Sequence, residues 1–409
     1  MNPRSWLMNL QWAKEGTRRV PSKIYICNQI YEQEIKNIFL GNTWNYVGLS
    51  SEVENFGDYI QTFVGNIPVI LIRDRKGILR VFVNRCPHRG AKICHNPQGN
   101  TKLLVCPYHE WAFSLEGNLA GMPFRKGING KGGMSEFFHP EEHGLQALNV
   151  TERHGVVFAS FSYDIEPFET YLDPVMLSYF DRVCDGRKLK VIGKMQHRVN
   201  CNWKLQIENV KDPFHAALLH SFFKNFGIWR SDQKTSVKVC SSGKSSVLVS
   251  TASFTKAEIK KNAETKTELS LLDPRIIDHQ REYDHGTGAI MTVFPNLILL
   301  QQLNCLAMRH VIPDGTDSCI KIWTFFGYEN ESEALTKRRL FQANLLGPSG
   351  LVTIDDNEIL AVTQEGAKSM PDSEIILEAS VGESSEDHMM TEAAIRGFYK
   401  YYRGVMNLG

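Results

Sequence analysis

Short apolar runs separated by polar turns characterise the chain from about residue 44 to residue 162. The runs IPVILIRD and LRVFVNRC are joined by RDRKG, and GVVFASF follows later. Runs of this length, bounded by turn-forming residues, are typical of β-strands in a small sheet. Residues 44–162 are therefore predicted to form a β-rich domain.

After about residue 163, longer strand-like runs alternate with helical patterns. Strands are predicted over SSVLVSTASF, IMTVFPNLILLQQL and CIKIWTFFGYE, and a single strand over LILLQQLNCLAMRHVIP. A helix is predicted from about Asn330, which has capping-box spacing to Glu333, as far as a Gly-Pro pair.

The last helix is predicted over DHMMTEAAIRGFYKYYRGVM, with one stripe formed by Met390, Ala394, Phe398, Tyr401 and Val405. The fold class expected is α+β. The β-rich domain (44–162) is inserted near the N-terminus of a larger domain (163–409), whose antiparallel sheet is flanked by helices. Residues 1–43 are expected to form an N-terminal segment that packs on the larger domain.

Length and charge narrow the function classes. A chain of 409 residues suggests two domains. Its 46 basic and 45 acidic residues leave a net charge of +1, which gives no reason to expect nucleic acid as a partner. No secretory leader or membrane-spanning apolar stretch is seen, so a cytoplasmic protein without a membrane partner is expected. Nine cysteines without a disulfide framework then suggest metal sites.

Two short loops carry the first group of candidate metal ligands. Cys86 and His88 form a C-x-H pair, and after a gap of 17 residues Cys106 and His109 form a C-x-x-H pair. A proline follows each cysteine and stiffens its loop. Two thiolates and two imidazoles in this pattern can hold a metal.

Two kinds of centre fit these four residues. Structural zinc sites usually use C-x₂₋₄-C pairs, and a C-x-H pair is tight for one. In a Rieske-type [2Fe–2S] cluster, two Cys hold one iron and two His hold the other, so each loop would supply one ligand to each iron. Zinc stays open as the simpler alternative. Cys94 lies off the pattern and is interpreted as a packing residue.

A second group of candidate ligands lies in NCNWKLQIENVKDPFHAALLHSFF. His215 and His220, with a distant carboxylate, would make a facial triad suited to non-haem Fe(II), with open positions for O₂ and substrate. Five residues place the two rings about 140° apart on an ideal helix, so the helix is expected to distort, for example by a π-bulge. An isolated pair would be interpreted as core histidines, but the cluster motif upstream favours iron. Asp212 precedes Pro213 and suits the cap of this helix.

The missing carboxylate is expected in GPSGLVTIDDNEILAVTQEGA. In one assignment Asp355 caps a helix, Glu358 is its capping partner, and Asp356 faces the iron. In the other, Thr353 is the cap and Asp356 its partner. Glu365 is a weaker ligand candidate.

Taken together, these motifs resemble those of the Rieske non-haem iron aromatic-ring-hydroxylating oxygenases, large (alpha) subunit. The CPH and CPYH loops look like the family's cluster motif, and NVKDPFHAALLH looks like its mononuclear-iron motif. The similarity extends from YVGLSSEV to IRGFYKYYRGVM. WNYVGL, NVKDPFHAALLH and FGIWR look most like the members that act on salicylate, anthranilate and terephthalate.

The resemblance implies a ligand set for each metal centre. The residues implied are Cys86, His88, Cys106 and His109 on a [2Fe–2S] cluster, and His215, His220 and Asp356 on a mononuclear Fe(II). It also implies that Asp212 bridges to a cluster histidine of the neighbouring subunit in a head-to-tail homotrimer, with or without a small β subunit. Asn209 looks like the family's asparagine beside the iron ligands.

The function implied is hydroxylation of an aromatic carboxylic acid of the salicylate, anthranilate or benzoate type with O₂. Electrons would come from NAD(P)H through a ferredoxin, a flavin reductase or both, since the chain shows no G-x-G-x-x-G strand-to-helix fingerprint. A carboxylate substrate needs a buried cation or several donors, and Gln302 and Arg309 are the candidates. The simpler interpretation, that Arg309 pairs with an acid or reaches the surface, is preferred. Arg396 has the same two interpretations.

Two other functions fit parts of the sequence. The same metals would also serve oxidative demethylation or hydroxylation of a quaternary ammonium compound, whose pocket would need an aromatic cage or an acid. An electron carrier or a zinc-stapled binding protein would explain the first motif. It would leave the long stretch after the cluster domain, with both histidines, unexplained.

Overall fold

The structure is a computed structural model, and it describes Trp12 and residues 16–226, 234–251, 271–283 and 288–408. The start of the N-terminal segment and most of FGIWR lie outside these residues. The backbone forms two compact units. The smaller unit is Leu40–Ile165, and the larger unit combines Met1–Phe39 with Glu166–Gly409.

The elements are numbered along the chain. Strands β1 to β19 are Arg19–Pro21, Asn45–Leu49, Asp58–Val64, Ile67–Arg73, Leu79–Val83, Gln98–Asn100, Leu104–Val105, Ala112–Phe113, Leu119–Gly121, Asn149–Arg153, Val156–Ser160, Leu189–Val199, Lys234–Val239, Ser246–Thr251, Gly288–Val293, Leu297–Gln302, Cys305–Pro313, Cys319–Tyr328 and Glu374–Ile376. Helices α1 to α9 are Asn28–Glu34, Phe168–Leu172, Pro174–Val183, Trp203–Asn209, His215–Leu219, Ser221–Asn225, Glu333–Leu346, Leu351–Ser369 and Ala393–Met406. Single helical turns are Gly16–Arg18, Ser22–Tyr25, Ile35–Phe39, Ser50–Glu52, Pro140–Glu142 and Pro274–Ile276.

Antiparallel strands build the smaller unit. One sheet has the order β5-β4-β3-β6, and two three-stranded sheets have the orders β10-β11-β2 and β7-β8-β9. RDRKG forms the turn between β4 and β5, because the Asp74 carboxylate accepts hydrogen bonds from the N–H groups of Lys76 (2.8 Å) and Ile78 (2.9 Å). The two candidate cluster loops follow β5 and β7, so both are anchored on short paired strands.

A seven-stranded antiparallel sheet organises the larger unit, in the order β12-β18-β17-β16-β15-β14-β13. Helices α4 and α7 pack against β17, α3 packs against β13 to β15, and α9 packs against β13. The inner strands β16 and β17 are buried along their whole length. Side chains in the middle of this sheet are therefore removed from solvent.

The run LILLQQLNCLAMRHVIP is a hairpin, and the prediction of a single strand was wrong. β16 ends at Gln302, which pairs with Cys305 at the start of β17. Leu303 supplies the turn with a left-handed φ of +55°. Leucine seldom takes this conformation, so the turn has no signal in the sequence. As a result Gln302 lies at the end of one strand and Arg309 in the middle of the next.

Two helices begin later than predicted. α7 is capped by Ser332, whose hydroxyl accepts the N–H of Leu335, so the capping box of Asn330 and Glu333 is not formed. Met390 precedes α9 and is exposed. The fully buried or nearly buried side chains of α9 include Ala394, Phe398, Tyr399, Tyr402 and Met406. None of the described helices is long and apolar enough to cross a membrane.

A buried ionic network supports the hairpin from α7. The side chain of Arg339 is 1% exposed, and it pairs with Glu282 (2.5 Å) and Glu331 (2.9 Å). Its third nitrogen donates to the carbonyl of Asn304, in the hairpin turn (2.5 Å). Because two carboxylates and one carbonyl share a single buried guanidinium, removal of the cation would leave two buried acids uncompensated.

We expect Arg339→Met to lower the free energy of unfolding by about 3–5 kcal/mol, because Glu282 and Glu331 lose their only shared cation among the described residues. The measurement is the midpoint of thermal unfolding. Lys337→Met is the matched control on the same helix. Lys337 pairs with Glu333 on the surface, where the Lys337 side chain is 69% exposed and the Glu333 side chain 81% exposed. That variant should lose no more than about 1 kcal/mol. Equal midpoints for the two variants would contradict the role given to Arg339.

Candidate active site and metal centres

The two loops of the first motif fold alike around their cysteines. In each, the cysteine carbonyl accepts the N–H four residues further on, and the cysteine N–H donates to the carbonyl five residues further on. The partners are Gly90 (2.9 Å) and Ala91 (2.8 Å) for Cys86, and Glu110 (3.0 Å) and Trp111 (2.9 Å) for Cys106. The pairs C-x-H and C-x-x-H therefore share one backbone framework although their spacing differs.

A left-handed residue closes each of these loops. Gly90 has φ +78° and Glu110 has φ +55°. Glycine takes this conformation freely, whereas for glutamate it costs about 1–2 kcal/mol. Strained residues of this kind persist where their surroundings require them, and they cluster at functional sites.

The donor atoms of these loops fit an iron–sulfur cluster. The Nδ1 atoms of His88 and His109 are buried and have no hydrogen-bond partner among the described residues. The thiols of Cys86 and Cys106 are both 1% exposed. Buried nitrogens without a partner are rare in proteins, so two of them beside two buried thiols indicate metal ligands.

The packing of the histidine rings and the burial of His88 are compatible with metal binding. The ring centroids of His88 and His109 are 4.6 Å apart, and Trp111 stacks on His88 at 4.7 Å with an angle of 5° between the planes. Burial, and then the nearby His109, lower the pKa of His88, which favours the neutral, ligating form. Burial raises the pKa of Cys86 in the absence of a metal.

The second motif spans the end of α4 and the start of α5, and the link between the two helices determines where His215 lies. The Asp212 carboxylate accepts hydrogen bonds from the N–H groups of Phe214 (2.9 Å) and His215 (3.2 Å). This is the capping interaction expected for an acid before Pro213. It fixes the first turn of α5 and therefore the position of His215.

A break between two short helices brings the histidines together. α5 ends at Leu219, His220 has φ −81° and ψ +85°, and α6 begins at Ser221. The helix is thus interrupted, and the π-bulge given as an example of the distortion is not formed. The two rings lie 5.5 Å apart at an angle of 73°, which a continuous helix would not allow.

Asp356 completes this group from α8. Its Oδ1 atom lies 3.5 Å from Nε2 of His215 and 3.3 Å from Nε2 of His220. Among the described residues, only these three bring His, Cys or carboxylate ligand atoms within 4.8 Å of one another. No three of the four cluster-loop side chains converge so closely, although the ligands of a single tetrahedral zinc would lie within about 4 Å of each other.

Neither capping assignment for α8 was correct. The helix begins at Leu351 after Gly350 and has no side-chain cap, so Asp355 and Asp356 lie more than one turn inside it. The hydroxyl of Thr353 donates to the carbonyl of Leu346 instead (2.8 Å). The weaker candidate ligand, Glu365, is exposed further along the helix and is not part of the group.

The two consecutive aspartates have different partners. Asp356 faces the Nε2 atoms of both histidines, whereas Oδ2 of Asp355 lies 3.2 Å from Nδ1 of His220. Nδ1 of His215 lies 2.8 Å from the carbonyl oxygen of Asp212. In each histidine, Nδ1 therefore contacts an oxygen of Asp212 or Asp355, and Nε2 is directed towards Asp356. This arrangement is typical of metal-binding histidines.

Asn209 links the group from α4. Its Nδ2 atom donates to Oδ1 of Asp356 (3.1 Å) and lies 3.4 Å from Nε2 of His215. Burial lowers the pKa of His215, but hydrogen bonds with Asp212 and Asp356 outweigh it and raise the value to about 10. For Asp356, burial favours a raised pKa, but its hydrogen bonds with the two histidines hold it well below the usual range. In the absence of a metal, a proton on the His215 imidazole thus compensates the carboxylate, a role that a metal cation would take over.

A pocket of about 520 Å³, part of it open to solvent, adjoins this group. Its apolar lining consists of Val210, Ala216, Phe223, Leu248, Ile290, Leu300, Leu346 and Val352. Its polar lining consists of Asn209, Asp212, His215, His220, Gln302, Arg309, Thr353 and Asp356. Eight apolar and eight polar or charged residues thus share the lining. Apolar walls beside converging polar groups are typical of sites that bind and orient a small molecule.

Arg309 is the positive charge of this pocket. It is 6% exposed, and its Nε and Nη2 atoms have no hydrogen-bond partner among the described residues. The guanidinium lies 5.0 Å from the ring centroid of Trp323, its pairing partner on β18. Burial lowers the pKa of Arg309 to about 10, so the group stays charged at neutral pH. Asp356 attracts the guanidinium, but the two side chains form no salt bridge in the described part of the chain. The expectation of an exposed position was wrong.

The other predicted polar residues differ in their surroundings. Gln302 lines the pocket and is 7% exposed. Arg396 lies outside the pocket lining and donates to the backbone carbonyls of Leu377, Ala379 and Gly382, which is a structural role. Cys94 is packed in the apolar core of the smaller unit, as interpreted from the sequence.

The roles of three residues around the site were not identified from the sequence. Asp355 was considered with Asp356 and predicted as a cap, whereas it lies beside Nδ1 of His220. Trp323 supports Arg309 across two strands, which only the register of the sheet reveals. Lys211 is buried and donates to the hydroxyls of Ser246 (2.9 Å) and Thr292 (2.8 Å), and burial lowers its pKa to about 7.

Comparison with protein families accounts for both units. The Rieske [2Fe-2S] domain matches residues 43–131, and the ring hydroxylating alpha subunit (catalytic domain) matches residues 186–408. The second match alone spans more than half of the chain.

Curated relatives match along nearly the whole length. The chain is 43% identical to the large oxygenase component of salicylate 5-hydroxylase from Ralstonia sp, over 97% of this chain and 96% of the relative. It is 39% identical to the large subunit of anthranilate 1,2-dioxygenase from Burkholderia cepacia, with the same coverage of 97% and 96%. The alpha 2 subunit of the terminal oxygenase component of terephthalate 1,2-dioxygenase from Comamonas sp is 37% identical over 96% of this chain and 97% of the relative.

Solved structures share the fold. Naphthalene 1,2-dioxygenase from Rhodococcus sp., bound to indole, matches with a TM-score of 0.80 at 21% identity over 99% of this chain and 97% of that chain. A quaternary ammonium Rieske monooxygenase matches with a TM-score of 0.74 at 18% identity over 97% of this chain and 99% of that chain.

These matches confirm the α+β fold and the resemblance to the salicylate, anthranilate and terephthalate oxygenases. The alternative predictions of an electron carrier or a zinc-stapled binding protein are wrong. The catalytic-domain match covers the stretch of the chain that these two functions left unexplained. The chain belongs to the alpha subunits of the ring-hydroxylating oxygenases, enzymes that combine a Rieske [2Fe–2S] cluster with a catalytic non-haem iron and use O₂ with electrons from a reductase.

Proposed function

We propose that this chain hydroxylates a single-ring aromatic carboxylic acid of the salicylate, anthranilate or benzoate type. The observation that carries the proposal is the charge of Arg309, buried in the pocket that also holds His215, His220 and Asp356. Asp356 attracts this guanidinium but makes no salt bridge with it, so the buried cation is only partly compensated within the described residues. A carboxylate compensates it with two charge-assisted hydrogen bonds, for which Nε and Nη2 are available.

Each metal centre has a ligand set in its own unit. Cys86 and Cys106 would hold one iron of the cluster, and His88 and His109 the other. His215, His220 and Asp356 would hold the mononuclear iron, with coordination positions left open on the pocket side. When bound, the cluster supplies electrons one at a time and the mononuclear iron binds and activates O₂.

The pocket would orient the ring before reaction. The carboxylate in the fork of Arg309 fixes one end of the substrate, while Leu248, Ile290 and Leu300 supply apolar walls for the ring faces. Trp323 stacks near the guanidinium and restrains its plane. Gln302 is placed to accept or donate a hydrogen bond to a second ring substituent, such as a hydroxyl or an amine. Orientation of this kind keeps one ring edge at the iron.

Asp212 would connect the iron site to the cluster of a neighbouring subunit. One carboxylate oxygen caps α5, and the side chain remains 22% exposed at the pocket. A cluster histidine of another copy could donate to it in a head-to-tail homotrimer, which is the assembly we propose, with or without a small β subunit. Asn209 would fix the side chains of Asp356 and His215 relative to each other, because its Nδ2 atom contacts both.

A reductase chain is part of this proposal. The relatives are named as a large oxygenase component and a terminal oxygenase component, which are parts of multicomponent systems. Electrons would come from NAD(P)H through a flavin reductase, a ferredoxin or both.

A quaternary ammonium substrate fits the pocket poorly. Among the lining residues that the structure describes, Phe223 is the only aromatic one, so no aromatic cage is formed. The lining also contains two acids, but both are engaged: Asp356 by the two histidines, and Asp212 by two backbone N–H groups. Arg309 makes no salt bridge in the described residues, and its charge would repel a cation. The pocket therefore favours an anion over a betaine-like compound.

The ligand assignment predicts a selective loss of iron. Asp356→Ala should remove the mononuclear iron while leaving the [2Fe–2S] cluster, because the carboxylate is shared by both histidines. Total iron should fall from about three to about two per chain, with the cluster's visible and paramagnetic spectra unchanged. Asp355→Ala is the matched control, since it removes only the partner behind His220 and should weaken iron binding about 10–100-fold. An Asp356→Ala protein that keeps three irons would refute the assignment.

The bridge role of Asp212 predicts a different phenotype. Asp212→Ala and Asp212→Asn should keep both metal centres but stop steady-state product formation, because the hydrogen bond between centres is lost. The measurements are iron content and the rate at which substrate and O₂ oxidise the reduced cluster. The Asn variant keeps an oxygen that can cap α5, so it separates loss of the cap from loss of the charge. Normal turnover in either variant would show that Asp212 is not needed as a bridge.

The substrate proposal predicts that Arg309 recognises the carboxylate. Arg309→Gln should raise the Kd for salicylate, anthranilate or benzoate about 30- to 150-fold, equivalent to about 2–3 kcal/mol. The Kd for the corresponding amides should change little, and Arg187→Gln, on the surface, should change neither. Calorimetry gives the affinities, and product analysis under ¹⁸O₂ identifies the acid that is hydroxylated. Equal losses for acid and amide would rule out a carboxylate contact.

A further inference from the structure

We propose that three buried tyrosines behind α4 form a one-electron reserve that protects the catalytic iron site when O₂ is reduced without hydroxylation of a substrate. The group consists of Tyr25, Tyr399 and Tyr402, with Glu208 and Glu34 as their carboxylate partners, and is called the tyrosine cluster. The inference rests on the proposed function, since it requires iron at the group of His215, His220 and Asp356.

The inner part of the tyrosine cluster is a closed triangle of hydroxyls and a carboxylate. The hydroxyls of Tyr25 and Tyr399 are 2.7 Å apart. Tyr25 donates to Oε1 of Glu208 (2.9 Å), and Tyr399 donates to the same oxygen. Two phenols on one carboxylate oxygen share a single proton acceptor.

The outer part repeats this chemistry with a second acid. Tyr402 donates to Oε1 of Glu34 (2.5 Å), and its ring centroid lies 5.9 Å from that of Tyr399. Trp12 flanks both rings at 5.8 Å and 6.5 Å. Each tyrosine therefore has a carboxylate at its hydroxyl. Tyr399 and Tyr402 also have aromatic rings beside them, whereas Tyr25 meets Tyr399 through its hydroxyl.

Burial suits these groups to electron transfer coupled to a proton. All three tyrosines are 0% exposed. Burial, together with the neighbouring carboxylates, raises the tyrosine pKa values well above the usual value, so the phenols stay protonated until they lose an electron. Burial also raises the pKa of Glu208 to about 7, against the opposing effect of its tyrosine hydrogen bonds and of Lys204, so it is a stronger base than an ordinary carboxylate.

The tyrosine cluster adjoins the iron site through α4. Glu208 and Asn209 are consecutive, so their Cα atoms are about 3.8 Å apart. Asn209 donates to Asp356 (3.1 Å), and Glu208 accepts from the tyrosines. Two consecutive residues of α4, Glu208 and Asn209, thus link the innermost phenols to Asp356, a proposed ligand of the iron.

The proposed step balances in electrons and protons. Tyr399 gives one electron to the iron site left oxidised by O₂, and its phenolic proton passes to Glu208. The products are a neutral tyrosyl radical, a protonated Glu208 and an iron site reduced by one electron. Tyr402 can then give one electron to the Tyr399 radical, which takes its proton back from Glu208, while the phenolic proton of Tyr402 passes to Glu34. An electron from the reductase chain, with return of that proton from Glu34, restores Tyr402.

The simpler account is that these hydrogen bonds only tie the N-terminal segment and α9 to α4. A structural tie predicts lower stability on substitution but no radical. A redox role predicts a radical that depends on the phenol and on its base. Spectroscopy separates the two accounts without relying on turnover.

The test uses the full-length protein with its cluster and iron in place, treated with hydrogen peroxide in the absence of substrate and frozen. We expect an organic radical in the paramagnetic spectrum, whose hyperfine structure narrows when the protein contains ring-deuterated tyrosine. Tyr399→Phe and Glu208→Gln should lose the signal and accumulate oxidised peptides around His215 and His220. Tyr171→Phe is the matched control, because Tyr171 is 2% exposed and donates to a backbone carbonyl of Phe294 rather than to a carboxylate (2.9 Å); this variant should keep the signal.

The outcomes are distinguishable. A protein that binds no iron at the histidine–aspartate group overturns the proposed function and this inference with it. Iron-loaded, active protein that gives no radical, or a radical insensitive to deuterated tyrosine, overturns the inference alone. A signal that persists in Tyr399→Phe combined with Tyr25→Phe does the same. Because the isotope experiment uses the unaltered sequence, poor folding of a variant does not leave the inference undecided.

Discussion

The larger unit depends on the convergence of His215, His220 and Asp356 on one point. Two imidazoles and a carboxylate within 4.8 Å, largely removed from water, favour a shared cation over any apolar arrangement. The remaining nitrogens of the imidazoles are held from behind by Asp212 and Asp355. A continuous helix would direct the rings about 140° apart, so the break at His220 is what the common point requires.

The sheet adds a charge that no salt bridge neutralises among the described residues. Arg309 is in the middle of an inner strand, with Trp323 opposite on one neighbour, and is only 6% exposed. Asp356 attracts it without pairing with it. Burial of such a group lowers stability, because desolvation of a cation is unfavourable. Under the proposed function the same position is useful, because a carboxylate interacts more strongly with a cation that is removed from water. Substrate affinity and lower stability would then have one origin.

The sequence was most informative where ligands come from contiguous loops. Cys86, His88, Cys106 and His109 could be recognised as candidate metal ligands because their spacing along the chain does not depend on the fold, and the apolar runs located the main strands. The separate tasks of Asp355 and Asp356 depend on where α8 begins, which the two capping patterns did not predict. Likewise the environment of Arg309 depends on a hairpin whose turn contains leucine, and on a partner strand whose register no local pattern encodes.

Helix α4 connects the histidine–aspartate group with the tyrosine cluster, because side chains on two faces of its last turn make contacts with each of them. Asn209 reaches the metal ligands, while the preceding Glu208 is held by tyrosines from the N-terminal segment and from α9. Earlier in the same helix, Lys204 pairs with Glu34 in the interior (2.6 Å). Every one of these polar groups is satisfied only when segments distant in sequence are in place, so the network specifies one position for α4. The geometry of the iron ligands is therefore set as much by residues behind the helix as by those that face the pocket.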